Sequence, residues 1–391
     1  MKQLKKWLPE RSVLLYAGML LYTLERCWTA SLILPYNANV DEVLKVGFAL
    51  IMVLVIAQQE FTPRLYLLYG LAAVGAVTIR LRTGFMIDVF TLLIIFAARQ
   101  ADITRIVHII RMSTTVFLLV HTLWFLLLVL TGRQDMFYTE LGGRVRCGFG
   151  LLGPNLMASY FFNLVLMWAW ERYDFIGWKQ LLLVAVIATV LYKLTDSRTA
   201  YLCTLLLCVL LLAVKNSVIV EKGLRLTAMW IVPALSLFTL ACSYAWGAGY
   251  ARKINSLLSG RIHLTRYAIA TFGFTLFGQK VIYDTILNPE IWDIWWMPTF
   301  TFDCVYSYLW SNIGTIWLVL IGVCFFLLAR RGNPKINLCL FFWALYGMAE
   351  ITVMSIVRFF PLLLISTLFL SKEESNRLYG PKKADAPGQA S

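Results

Sequence analysis

Runs of about 16–25 apolar residues recur along the chain, which is the length a helix needs to cross the hydrocarbon core of a bilayer. Short connections between them carry most of the charge. Twelve spans are predicted, near residues 12–34, 43–58, 64–79, 83–98, 112–131, 151–171, 180–195, 198–214, 225–246, 305–329, 336–352 and 356–370. Glu25 and Arg26 interrupt the first of these. The expected fold is all-α, a polytopic transmembrane domain over residues 1–370. The first run has no cleavage-site pattern after it and reads as a retained anchor.

An even number of spans puts both termini on one side, and basic residues choose that side. Lys2, Lys5, Lys6 and Arg11 precede the first span. Arg99, Arg105, Arg111, Arg330, Arg331 and Lys335 lie in later connections on the same face, and Lys372, Arg377, Lys382 and Lys383 in the tail. Both termini are therefore expected to be cytoplasmic. Arg80, Arg82 and Arg133 fall on the opposite face, where lipid headgroups suit them.

Two polar pieces remain. Residues 247–302 form by far the longest outer loop, and long loops are usually functional. Residues 371–391, rich in Lys, Pro, Ala and Gly, predict a disordered cytoplasmic tail.

Composition sharpens this picture. Hydrophobic residues make up 60% of the 391 and charged residues only 14%. One soluble core could not hide that much apolar side chain. A secreted enzyme, a nucleic-acid-binding domain and a soluble dehydrogenase are excluded. The net charge of +14 is spread through the connections, where it orients spans, so no nucleic-acid partner is expected; the bilayer is. Of the eight cysteines, Cys27, Cys203, Cys208, Cys242, Cys324 and Cys339 sit in or near apolar runs and read as small buried hydrophobes. No Cys/His spacing for zinc and no P-loop is present, and neither a metal nor a cofactor is expected.

Four stretches on the outer face carry candidate chemistry. In the first, Arg144 and Arg146 precede Gly148-Phe149-Gly150 and Pro154-Asn155. Pro154 suits a first helical turn, whose free N–H groups favour anions. The second is Thr195-Asp196-Ser197-Arg198-Thr199, where Asp196 either pairs with Arg198 or leaves it for a ligand. In the third, Leu257 to Arg261, Ser259 is a candidate cap for a helix running through Ile262 to Phe272. His263 follows there, a surface residue or a general base. The fourth runs from Asp303 to Tyr306, with Gly314 deeper in the span. Asp303 is placed to deprotonate a hydroxyl or to act as a counter-ion. Guanidinium forks match phosphate oxygens, so the set suits a lipid-borne diphosphate. Trp292, Trp295 and Trp296 suit either the membrane interface or stacking on sugar rings. Cys147 and Cys304 share the outer face, and a disulfide between them is conceivable.

On these residues the chain resembles the Wzy-type polysaccharide polymerases, in the superfamily that includes the O-antigen ligases. It is most similar to the capsular and exopolysaccharide polymerases of Gram-positive bacteria. The resemblance rests on Arg144, Gly148-Phe149-Gly150 and Pro154-Asn155, then Ser197-Arg198-Thr199. Leu257-Leu258-Ser259-Gly260-Arg261, Leu276-Phe277-Gly278-Gln279 and Asp303 to Tyr306 complete the order. It covers roughly residues 10–370. Leu151-Leu152-Gly153 replaces a histidine the family often carries after Gly-Phe-Gly, and no histidine lies near Asp303, where ligases carry one.

The resemblance implies a GT-C-like glycosyltransferase in a bacterial cytoplasmic membrane. Its substrate would be an undecaprenyl-diphosphate-linked oligosaccharide repeat unit, polymerised on the outer face. A flippase and a chain-length regulator are the implied pathway partners. Arg144, Arg146, Arg198 and Arg261 would hold the lipid diphosphate, and Asp303 or His263 would act on the acceptor. Asn155, Ser197 and Tyr306 would support them. Two alternatives stay open. One is a ligase moving a finished chain; the other is a transporter of lipid-linked sugars, with Asp88, Lys193, Glu350 and Arg358 along its path.

Overall fold

The computed structural model describes residues 10–84, 86–139, 143–281 and 300–370. The tail after Leu370 and the tryptophans 292, 295 and 296 lie outside the described residues. Among the described residues the fold is all-α apart from one two-stranded ribbon. In order come α1 (Arg11–Trp28), α2 (Ala38–Ala57), α3 (Pro63–Thr83), α4 (Ile87–Ala97) and α5 (Ile103–Leu130). The ribbon pairs β1 (Tyr138–Thr139) with β2 (Val145–Arg146), antiparallel. Then follow α6 (Pro154–Arg172), α7 (Trp178–Thr195), α8 (Arg198–Asn216), α9 (Val218–Tyr244), α10 (Gly249–Leu257) and α11 (Arg261–Phe272). A short α12 (Val305–Tyr308), α13 (Thr315–Arg330), α14 (Pro334–Gly347) and two 3₁₀ segments, Ile351–Met354 and Phe360–Phe369, complete the described chain.

Among the described residues, five helices are long and apolar enough to cross a membrane: α3, α5, α7, α8 and α9. Their outward faces are apolar, as Leu67, Leu71 and Val74 on α3 and Leu119, Leu123 and Leu127 on α5 illustrate. Water would not tolerate so much exposed apolar surface on a monomer, and lipid does. Inside, an aromatic and aliphatic core runs the length of the bundle, from Phe48 and Phe90 through Phe162 and Tyr346 to Phe325 and Trp343.

Hydrogen bonds define the two ends of the bundle. At one end Arg11 Nη1 donates to Gln100, Arg99 Nε to the Phe369 carbonyl, and Lys335 meets Asp174 at 2.9 Å. At the other end the turn after α1 pairs with the Gly148–Leu152 turn: Leu32 N donates to Gly150 O and Leu152 N to Ala30 O. Gly150 has φ +75, and a Cβ there would press on Phe125 and Ile33, so only glycine fits this crossing. The motif stretches of the sequence gather at this second end.

Three expected spans differ from simple α-helices. The run at 83–98 forms only the 11-residue α4, about 16 Å long at 1.5 Å per residue. The run at 305–329 is broken at its start by a π turn, Leu309–Ile313, and by Gly314 at φ +120. The last run, 356–370, is 3₁₀ over Phe360–Phe369 and wholly inside the bundle, with Phe359, Phe360, Leu363 and Leu364 fully buried. Protein surrounds most of that segment, a setting in which non-α backbone is tolerated within a membrane protein.

The break before α13 is held by the Leu276–Gln279 motif. Gln279 N donates to Asn312 O, and its side-chain amide donates to Phe272 O and Ser311 O, each at 2.7 Å. Thr275 N and Thr315 N complete a ladder across Trp310 and Thr275. Gly278 has φ +88, and a Cβ there would stand 2.8 Å from Ile313 O. This motif is thereby a clamp on an opened helical turn, the kind of defect found beside functional sites.

Candidate functional site

The third stretch folds as α10 and α11 at the motif-bearing end of the bundle. Ser259 does not cap α11. It lies at φ +51 with its N–H on Ser256 O, ending α10, and Gly260 at φ +92 is the residue that starts α11. The helix itself runs as expected, and it packs into the bundle through Ile262, Leu264 and Tyr267.

Arg261, first in α11, is buried. Its Nε donates to Ala349 O at 3.1 Å and its Nη1 to Leu258 O and Ser259 O. Two carboxylates flank the same guanidinium: Asp303 Oδ2 lies 3.9 Å from Nε, and Glu350 Oε1 3.6 Å from Nη2. Glu350 stands beyond the end of α14 at Gly347. Three separate stretches therefore meet on one arginine.

Burial pushes Glu350 up to about 8, against the opposing pull of Arg261. Asp303, whose side chain is one-third exposed, is also raised by burial, with Arg261 again opposing. Both carboxyls hold protons more readily than free ones. Arg146 and Arg358 act on Glu350 as well, which puts it within reach of the arginine stretch ahead of α6.

In that stretch Arg146 is buried. Its Nε donates to Thr195 O at 2.6 Å and its Nη2 to Asn155 Oδ1 at 2.5 Å. Asn155 is second in α6, directly after Pro154. Arg146 thus ties the start of α6 to the end of α7, where Cys147 N also donates to Leu194 O. Arg144 is exposed and pairs with Asp196, its Nε 2.9 Å from Oδ2. Asp196 is taken by Arg144 rather than by Arg198, because its left-handed backbone at φ +47 ends α7 and turns it to the ribbon. Arg198, at the start of α8, is exposed, and Ser197 before it is buried.

Four residues turn out more internal than their sequence context suggests. His263 is buried, its ring 4.4 Å from that of Trp246, and its backbone N–H donates to Asn255 Oδ1. Tyr306 is fully buried and donates to Ala344 O at 2.9 Å, pinning α12 to α14. Cys147 and Cys304 are separate buried thiols. Sequence reasoning passed over Glu350 as part of this cluster. The signal was present, since an acid closing an apolar run needs a partner. Of the residues set aside for a transport path, Lys193 is exposed on α7, and Asp88 accepts from Tyr308 at 2.8 Å.

The fold defines a helical membrane protein with a charged cluster at one end of its bundle. No family model, curated protein or solved structure matches the chain.

Proposed function

We propose that this chain is a Wzy-type polymerase, a membrane glycosyltransferase. It joins undecaprenyl-diphosphate-linked oligosaccharide repeat units into capsular or exopolysaccharide at the outer face of a bacterial cytoplasmic membrane. In this reading twelve segments cross or enter the bilayer, both termini are cytoplasmic, and the motif-bearing end faces outward.

The observation that carries the reading is Arg261 between Asp303 and Glu350, with Arg146 in electrostatic reach. Cations beside carboxyls of raised affinity for protons are what the transfer needs. The acceptor hydroxyl attacks the anomeric carbon of the donor sugar, forming the glycosidic bond. The bond from that carbon to the diphosphate oxygen breaks, and undecaprenyl diphosphate leaves with the bonding pair. Asp303 takes the hydroxyl proton, being the more exposed carboxyl. The arginines stabilise negative charge as it gathers on the departing diphosphate. The open N-terminal turn of α6 adds a favourable field for the same charge.

Arg198→Ala tests the assignment, since this exposed side chain is the least entangled in packing. Chain extension is expected to be lost while protein yield is kept. Wild-type lengths of product from that variant would remove Arg198 from the site.

A further inference from the structure

Arg358 sits in the turn between the two 3₁₀ segments, flanked by the fully buried Val357 and Phe359. Its Nε is buried without a hydrogen-bond partner, and no ion pair or side-chain hydrogen bond joins it to the described residues. A guanidinium inside a membrane protein is costly unless something compensates it. On α1, Arg26 is in a similar position. It is buried, its Nε also lacks a partner, and its one carboxylate neighbour, Glu25, stands at 3.6 Å. The charges of both arginines act on Tyr22, Cys27 and Tyr160, so the two lie around one region between α1, α6 and the 3₁₀ turn.

Other polar atoms there also lack partners. Asn163 donates to Val357 O, yet its Oδ1 accepts nothing, and Ser355 Oγ is buried and unpaired. Buried polar groups are normally satisfied, and a cluster of exceptions indicates a missing ligand or water. By contrast, the motif arginines are largely engaged: Arg146 with Thr195 and Asn155, Arg261 with three carbonyls, Arg144 with Asp196. Arg358 also acts on Glu350, which links this region to the two-carboxylate cluster.

We propose that Arg358 and Arg26 hold the phosphate oxygens of the lipid-linked substrate, with Asn163 and Ser355 receiving neighbouring hydroxyls. This rests on the polymerase reading and adds to its anion-holding groups two residues outside the motifs. Arg358 and Arg26 then supply further guanidinium contacts to the diphosphate that the motif arginines also face.

The test uses the full chain in lipid nanodiscs, with undecaprenyl diphosphate and phosphatidylglycerol titrated separately and bound lipid counted by native mass spectrometry. Wild-type protein should prefer undecaprenyl diphosphate, and Arg358→Gln should weaken that binding by at least about tenfold, the loss of charge-assisted hydrogen bonds. Arg105→Gln, an exposed cation on α5, should bind as wild type does. Should Arg358→Gln fail to fold, Arg26→Gln reads the same site from another helix and should weaken binding in the same sense. Wild-type affinity in the folded variants would overturn this inference alone. Equal affinity for phosphatidylglycerol would overturn it too, by making the two arginines ordinary headgroup anchors. A wild-type chain that binds no undecaprenyl diphosphate would overturn the polymerase reading along with it.

Discussion

Arg261 Nη2 stands 3.6 Å from Glu350 Oε1, joining the first turn of α11 to the chain just beyond α14. Removing that buried guanidinium strips Ala349 O of its donor, which typically costs about 1–3 kcal/mol. Arg261→Ala should therefore lower stability as well as activity. The double variant Arg261→Ala/Glu350→Gln should recover part of the loss, a coupling on the order of 0.5–3 kcal/mol. Thermal unfolding in detergent across the four-member cycle measures it. Strict additivity would mean that the pair is not energetically coupled.

The same carboxyl gives a pH dependence of defined sign. Glu350 has its affinity for protons raised from 4.5 to about 8 in the folded chain, so folding favours its protonated form. That contribution is fully present below about pH 4.5 and is lost as pH rises through about 8. Its slope cannot exceed about 1.4 kcal/mol per pH unit for one proton. The melting temperature should fall across this window in wild-type protein and flatten in Glu350→Gln. Asp303, raised in the same direction, keeps a smaller residual slope. An unchanged profile in Glu350→Gln would place the titration elsewhere.

The opened turn before α13 makes a separate prediction. A Cβ at Gly314 would strike the Leu276 carbonyl and would also force φ +120 on an alanine. Gly314→Ala should be strongly destabilising and should abolish activity by displacing the clamp. Gly223→Ala in α9, where a new methyl meets nothing within 4 Å, should instead stabilise by up to about 1 kcal/mol. Yields of folded protein and melting temperatures of the two variants compare them directly.

Arg144 and Arg146, two residues apart, should separate cleanly. The exposed Arg144–Asp196 pair contributes only about 0–1 kcal/mol, so Arg144→Ala should fold normally. Arg146→Ala strips Thr195 O and Asn155 Oδ1 of a buried donor and should cost about 1–3 kcal/mol. Thermal stability distinguishes them before any activity is measured.

Much of this architecture was legible in the residues. Apolar runs gave α3, α6, α7 and α8 close to their bounds and located α2, α5, α9 and α14 with one end displaced by several residues, because hydropathy marks the apolar stretch and not the polar turns that extend a helix beyond it. Pro154 opened α6 as its position implied. The helix after Leu257 was also readable, although its start belongs to Gly260 and not Ser259. What escaped was tertiary in origin. The 3₁₀ form of Phe360–Phe369 depends on being enclosed by other helices, and the π turn depends on Gln279 reaching from another segment. Glu350 and Arg358 read only as isolated charges in apolar runs, since spacing along a chain does not reveal which arginine an acid will meet across the bundle. His263 read as a surface group because its packing against Trp246 is a contact between α11 and the chain just beyond α9.

The central claim is chain extension from a lipid-diphosphate donor, and product length tests it most directly. Purified protein in liposomes would receive undecaprenyl-diphosphate-linked repeat units, with neither nucleotide nor metal added, and the glycans would be sized on a gel. A ladder rising in multiples of the repeat unit is the predicted result. Single units, unchanged in the presence of a substrate that a known polymerase extends, would contradict it. Movement of those units across the bilayer, or their transfer to an added acceptor without lengthening, would replace it with transport or ligation.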